Sequence, residues 1–315
     1  MKQVRIATRA SLLAMWQANH IRDLLIAQYP ELTVEIVKTT TSGDRIQSIA
    51  LSEFGGMGAF TREVQTALLE HQADIAVHSL KDLPTETHPH LLLAAVPARA
   101  PRHDSLILKA SLRETLDPAS SEPVLMQIPA GKRIGTGSIR RRAMLKAIRP
   151  DLEYLEIRGN VDTRLKKLDE GEYDAIILAE AGLSRLEYTQ RERFDLLPPV
   201  MWPAVGQGAL GIECRKEDRA TQELLSVLDD PQTRGEVTAE RALLKQLEAG
   251  CHAPVGVWSE STAEQLTLTA KVISPDGTQS LESTKSAEWS KSESLGISMA
   301  EQLITEGADQ LIAED

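Results

Sequence analysis

Short apolar runs alternate with stretches of helical period through the first two thirds of the chain. VRIAT (4–8) has the compact β-rich character of a strand. Behind it, SLLAMWQANHIRDLLIAQYP places Leu12, Leu13, Trp16, Ile21, Leu24 and Leu25 at helical spacing until Pro30 ends the pattern. LTVEIVKT (32–39) predicts a second strand, Thr61 to Glu70 a helix, ADIAVHSL (73–80) a third strand and LLLAAVPA (91–98) another apolar run. The Pro/Arg-rich PARAPRHD that follows predicts a crossing between domains.

The pattern then restarts. KRIGTGSIRRRAML (132–145) echoes QVRIATRASLLAMW, with a strand, Arg-Ile-small-Thr, a serine and a helix in the same order. LDEGEYDAIILA (168–179) echoes LLEHQADIAVHS (68–79), aligning Leu68 with Leu168, Glu70 with Glu170 and Asp74 with Asp174 at an offset of 100. Internal similarity of this kind predicts two α/β domains of related design. Strands that alternate with helices predict parallel sheets with ligands at the strands' carboxyl ends, so two such domains would face each other across a cleft. After VGQGALGIECR (205–215) the style changes. A helix from Arg234 to Leu247 precedes LTLTAKVIS (266–274), a Pro-Asp-Gly turn and SLESTKSAEW (280–289), which predict antiparallel strands, and a last helix spans Gly296 to Thr305. A smaller α+β domain therefore ends the chain.

At 315 residues the chain exceeds a single ordinary core, which agrees with two or three domains. Aromatic residues make up only 3%, so aliphatic side chains must fill the cores. A formal net charge of −11 argues against nucleic acid as a partner. The N-terminal MKQVRIATRASLL has no long apolar stretch and no run of about 18 apolar residues occurs, so the expectation is a cytoplasmic protein with no membrane span. The only cysteines are Cys214 and Cys251, without a C-x-x-C pair or clustered ligands, so no metal is expected.

Against that acidic background, arginines gather at predicted strand ends. TRAS (8–11) and GTGSIRRR (135–142) are strand-to-helix turns whose free N–H groups and hydroxyls suit an anion, although N-capping by Ser11 and Ser138 accounts for either turn alone. Arg9, Arg140, Arg141 and Arg142 attach guanidinium groups to these turns, with Arg142 read as surface charge. RGNVDTR adds Arg158 and Arg164 around Gly159, whose missing side chain admits a ligand to the backbone. The ligand so predicted is small and carries several carboxylates or phosphates. HSLKDLP (78–84) ends the third strand with Ser79, Lys81 and Asp82; a surface ion pair is its simplest reading, a held carboxylate for cation or proton chemistry the sharper one. Cys251 stands in GCHAP, a loop where the neighbouring His252 could activate a thiol, whereas Cys214 lies in an apolar strand and reads as core. FGGMGAF (54–60) lacks the Gly-Lys-Ser/Thr of a phosphate loop and reads as a lid or a connection.

Taken together these motifs resemble the porphobilinogen deaminase (hydroxymethylbilane synthase) family. The resemblance rests on RIATRASLLAMWQA (5–18), the glycine-rich loop with TREV, DIAVHSLKDLP (74–84), GTGSIRRR, IRGNVDTRLKKL (157–168), EYDAIILAEAGLSRL (172–186), PAVGQGALGIECR (203–215) and TAERALLKQLEAGCHAPVG (238–256), in that order along essentially the whole chain. It implies two doubly wound domains like type II periplasmic binding proteins, residues 1–98 completed by 209–226 and residues 103–202, plus an α+β domain over 231–315. It implies a transferase that joins four porphobilinogen molecules head to tail, releasing ammonia, to give hydroxymethylbilane. Cys251 would carry a dipyrromethane cofactor through a thioether and Asp82 would be the catalytic carboxylate, stabilising the cation that substrate becomes when ammonia leaves. Arg9, Ser11, Gln17, Ser79, Lys81, Thr136, Ser138, Arg140, Arg141, Arg158, Gly159, Arg164, Arg185 and Gln207 would bind cofactor or substrate, whose pyrroles bear acetate and propionate groups. The family also implies a monomer.

Departures from the family pattern are Glu53 and Met57 in the glycine-rich loop, where relatives often carry lysine, Gly137 in place of a second hydroxyl, and Glu180 in the AxAGL motif. Two other function classes fit parts of the pattern. A non-catalytic receptor for a polyanion would need only the cleft and would leave the cysteine-bearing domain idle. A thiol hydrolase would need Cys251 with His252 or His78 as its base, and adjacent residues such as Cys251 and His252 rarely reach the right geometry.

Overall fold

The computed structural model describes residues 2–39, 61–250 and 253–312. Cys251 and the glycine-rich segment with Glu53 and Met57 lie outside the described residues. In the first sheet, β1 (Gln3–Arg9), β2 (Thr33–Thr39), β3 (Ile75–Ser79) and β4 (Leu91–Ala95) are joined by helices α1 (Leu12–Gln28) and α2 (Arg62–Leu69). A one-turn 3₁₀ helix, Leu80–Asp82, caps β3. The chain then crosses through residues 96–103 and builds β5 (Asp104–Leu108), β6 (Arg133–Gly135), β7 (Glu153–Leu155), β8 (Ala175–Ala179) and β9 (Phe194–Leu196). Helices α3 (Ile139–Ile148), α4 (Val161–Asp169) and α5 (Glu180–Arg185) accompany them. It returns to add β10 (Leu210–Arg215) and α6 (Arg219–Leu225) to the first layer.

The two five-stranded sheets have the orders β2-β1-β3-β10-β4 and β7-β6-β8-β5-β9. They share one plan. Three parallel strands are followed by one that runs antiparallel, β10 beside β3 and β5 beside β8. The fold is therefore α/β as expected, but the sheets are mixed rather than parallel. The reason is the direction of entry. Each antiparallel strand is the first after a crossing and starts at the gap between the sheets, where the parallel strands end, so Leu210 pairs with Ser79 and Asp104 with Ala179. β5 escaped the sequence pattern because its five residues are all buried, without alternation, directly behind a proline-rich run.

The internal repeat has a structural meaning. Asp74 accepts from the backbone N–H of Arg5 at 2.9 Å and from its Nε at 3.1 Å, and Asp174 accepts from the backbone N–H of Arg133 at 2.9 Å and from its Nε at 3.2 Å. The same clip ties β1 to the start of β3 in the first sheet and β6 to the start of β8 in the second.

The last layer is a three-stranded antiparallel sheet, β11 (Val255–Ser261), β12 (Gln265–Ile273) and β13 (Ser280–Glu288), covered by α7 (Pro231–Gln246) and α8 (Ser292–Thr305). Both helices begin earlier than their apolar periodicity shows. Asp230 caps α7 by accepting from the Thr233 N–H at 2.7 Å, with Pro231 in the first turn, and the opening turn of α8 is polar. Gly296 stands inside α8, where a Cβ would clash with the Ala239 carbonyl of α7. Among the described residues no helix is long and apolar enough to cross a membrane.

All three layers meet at Arg99, in the first crossing. Its guanidinium grips Glu240 of α7 with two bonds, at 2.7 and 3.0 Å, and its Nε donates to the Gln207 carbonyl of the return crossing at 2.9 Å. Ser259 of β11 donates to the same Glu240 at 2.6 Å, as does the Gly206 N–H at 2.8 Å. Glu240 is fully buried. Removing its cation leaves an uncompensated interior charge, so Arg99→Ala is expected to lower folding stability by about 3–5 kcal/mol, read as a shift in the urea midpoint at unchanged slope.

Candidate functional site

The carboxyl ends of the parallel strands open onto one cleft of about 400 Å³, within the ordinary size of small-ligand sites, about 300–1,000 Å³. From the first sheet come Arg9 and Ser11, in the turn between β1 and α1, and Gln17, one and a half turns into α1. The end of β3 brings Ser79, Lys81 and Asp82. Gln17 donates to the Ser79 hydroxyl at 2.8 Å, locking the two elements side by side. The second sheet contributes Arg141 from α3, Arg158 and Gly159 ahead of α4, Arg164 within it, and Arg185 at the end of α5. Gly159 has φ +106°, a conformation that side chains disfavour. Arg164 donates its Nε to the Gly159 carbonyl at 2.8 Å, and Arg185 donates to the Gly208 carbonyl at 2.7 Å.

Six cations, Arg9, Lys81, Arg141, Arg158, Arg164 and Arg185, thus face one carboxylate, Asp82, among the described lining residues. In a protein of net charge −11 this concentration selects a ligand with several negative groups. Crowding and burial weaken the hold on the protons. Burial, with the like charge of Arg141, brings Arg164 down to about 10, while Asp82 across the cleft acts in the other direction. Burial brings Arg185 to about 10 as well. Lys81 is lowered to about 8 by burial and the nearby Arg141 and Arg140, with Asp82 and Asp104 opposing. Of the three it lies nearest neutral pH, and an incoming carboxylate would hold its proton in place.

Four of the residues named from sequence do not line this cleft: Thr136, Ser138, Arg140 and Gln207. Thr136 is buried and accepts from the Ser138 N–H, and Ser138 caps α3 by accepting from the Arg141 N–H at 3.4 Å. Arg140 is buried away from the ligand space, donating to Asp104 at 2.9 Å and to the Trp202 carbonyl. Gln207 is fully buried between the crossings, accepting from Lys81 Nζ at 3.3 Å and donating to the Arg102 carbonyl at 2.7 Å. Cys251 lies outside the described residues. Ala249, two positions before it, lines a cavity of about 20 Å³ together with Lys81, Leu83 and Arg241. Two residues span at most about 7 Å. Arg241 of α7 donates to the Leu83 and Pro84 carbonyls at 2.9 and 2.6 Å, fastening the turn that carries Asp82 to the helix that leads to Cys251. The departure residue Glu180 is buried and satisfied, accepting from Ser105, Ser184 and Arg193 at 2.6–2.7 Å.

Sequence reasoning missed Arg99, Asp104 and Arg241. Each sits in a segment that reads as a linker or an ordinary helix, and each acts on residues distant in sequence.

Comparison with known proteins places this geometry in context. A family model described as "Porphobilinogen deaminase, dipyromethane cofactor binding domain" matches residues 4–223, and one described as "Porphobilinogen deaminase, C-terminal domain" matches residues 235–305. Among solved structures, an ancestral cationic amino acid solute binding protein, AncCDT-1, is 14% identical, with 76% of this chain and 94% of that chain covered and a TM-score of 0.43. The VFT2 domain of BvgS from Bordetella pertussis is 13% identical over 75% of this chain and 92% of that chain, TM-score 0.42. Full-length BenM is 14% identical over 79% and 69%, TM-score 0.41.

Proposed function

The chain belongs to the porphobilinogen deaminase family, whose models cover nearly its whole length, and from that premise we propose that it is a hydroxymethylbilane synthase acting at the cleft between the two five-stranded sheets. The family's domains belong to tetrapyrrole biosynthesis, and its cofactor is dipyrromethane. The finer reading is that the chain joins four porphobilinogen molecules head to tail with release of ammonia, on a primer held by Cys251.

The residues present fit that cofactor. Acetate and propionate groups need several fixed cations, and six line the cleft. Arg141 is also 94% buried, yet its Nε has no acceptor among the described residues, which suits it to receive one from a ligand. Arg141, Arg164 and Lys81 would hold the cofactor's carboxylates, and Ala249 brings the chain to Lys81 two residues before Cys251. When bound, dipyrromethane supplies the nucleophilic pyrrole carbon to which the first substrate ring is joined.

The chain's own residues do the rest. Arg9 and Ser11 on one wall, with Arg158 and Arg185 on the other, orient substrate carboxylates and exclude alternatives that lack them. Asp82 is exposed to the cleft and is the one carboxylate among its described lining residues. As ammonia leaves porphobilinogen, positive charge develops on the substrate. A fixed anion at that point lowers the barrier and can accept pyrrole N–H bonds. The observation that carries the reading is this carboxylate set amid six cations among the described lining residues. It is tested by incubating the purified protein with porphobilinogen, following ammonia and bilane formation, and weighing the intact chain. Consumption of porphobilinogen by a chain heavier than its sequence by one dipyrromethane supports it; an unmodified chain without turnover sinks it.

A further inference from the structure

Asp104 opens β5, and because β5 runs antiparallel beside β8, that first residue is delivered to the cleft end of the sheet. Its side chain is nevertheless wholly excluded from solvent and does not line the cleft. Three donors surround it. Arg140 Nη2 approaches Oδ2 at 2.9 Å, Arg141 Nη2 approaches Oδ1 at 2.7 Å, and Gln207 Nε2 donates to the same Oδ1 at 2.8 Å. The amide oxygen of Gln207 accepts in turn from Lys81 Nζ at 3.3 Å. One buried anion is therefore wired directly to Arg141 and, through one amide, to Lys81. These are two of the cleft's six cations, and they come from opposite sheets. Burial alone would favour the neutral acid, but Arg141 and Arg140 reverse that and keep Asp104 well below the usual carboxylate range. The charge is a permanent part of the wall.

Arg141 shows what this wiring does. One Nη is spent on Asp104 and the other donates to the Ile177 carbonyl at 3.0 Å, fixing the guanidinium plane and leaving Nε without an acceptor among the described residues. A guanidinium held at two corners presents the third with little loss of side-chain freedom on binding. Without the anion, two buried arginines would repel each other, and Arg141 would relieve the repulsion by turning toward water.

We propose that Asp104 is the positioning residue of the cleft's carboxylate site: it touches no ligand, but holds the Arg141 guanidinium and, through Gln207, the Lys81 ammonium where the ligand's carboxylates meet them. This rests on the function proposed above and adds a residue to it.

The test compares full-length Asp104→Asn, Gln207→Leu, Arg141→Ala and the Asp104→Asn/Arg141→Ala double variant with wild type. Thermal melts, the fraction of purified chain carrying the cofactor by intact mass, and KM and kcat for porphobilinogen are recorded. Loss of a charge-assisted contact predicts that Asp104→Asn raises KM roughly tenfold or more and lowers the loaded fraction, with kcat of the loaded chain changed less. Gln207→Leu, which cuts the tie to Lys81 together with the donations to Asp104 and the Arg102 carbonyl but leaves Arg141 on Asp104, gives a smaller rise. The double variant is less impaired than the product of the two single defects, because the Arg141 arm is already lost in Arg141→Ala and only the Lys81 arm remains for Asp104→Asn to remove. A folded Asp104→Asn with KM within twofold of wild type overturns the proposal, as does a double variant whose defects multiply. Should Asp104→Asn fail to fold, Gln207→Leu decides: an unchanged KM refutes the wiring. A wild type that neither carries the cofactor nor consumes porphobilinogen refutes the function itself, not the role of Asp104 within it.

Discussion

Cys251→Ser is expected to yield a folded chain at the mass of its sequence, with turnover of porphobilinogen reduced to background. The exchange replaces one atom. It removes the only group in the loop that forms a thioether, because a serine hydroxyl ionises far too weakly to substitute for a thiolate as nucleophile. The other thiol offers no bypass. Cys214 is fully buried in β10, and burial pushes it up to about 11, so it stays protonated and inaccessible at neutral pH. Cys214→Ala should therefore keep both the added mass and the turnover, at some cost in stability from the lost core volume. Two outcomes contradict the assignment: a Cys251→Ser chain that still carries dipyrromethane, or one that turns over at the wild-type rate without it.

What could be read from the sequence, and what could not, divides along physical lines. The turns TRAS and GTGSIRRR were legible because strand, turn and helix follow one another within a dozen residues. The repeat was legible because Asp74 and Asp174 answer Arg5 and Arg133 with the same bonds. The direction of β5 and β10 was not, since it depends on which side a crossing enters from. The two arginines of α3 show a finer limit. Arg140 and Arg141 are adjacent and both reach Asp104, yet only Arg141 lines the cleft, and no local pattern says which of the two does. Packing decides it: Arg140 is drawn to the Trp202 carbonyl of the return crossing, and Arg141 is left at the cleft. Asp104 was invisible for a related reason. In PRHDS it reads as a linker residue, and its partners lie 36, 37 and 103 positions away.

Asp82→Asn is expected to lower kcat by about 10²–10³-fold, the usual effect of deleting one preorganised electrostatic group, while KM stays within a few-fold of wild type. The split follows from where the charge appears. Substrate arrives as a polyanion with an ammonium-type leaving group, and its recognition is assigned to the arginines. The positive charge that Asp82 would face grows only as ammonia departs. An interaction made in the transition state and not in the ground state is read in kcat. Asp82 is the exposed residue of its one-turn helix, which Arg241 fastens from behind, so the variant should melt at nearly the wild-type temperature. It should also still carry the cofactor mass to the extent that loading is slow but not rate-limited during expression. Asparagine keeps an acceptor for pyrrole N–H groups and loses only the charge. Glutamate keeps the charge and displaces it by one methylene. If charge is what matters, Asp82→Glu retains more activity than Asp82→Asn; if hydrogen bonding matters more, the order reverses. Wild-type kcat in a folded, loaded Asp82→Asn chain would remove the carboxylate from the chemistry altogether.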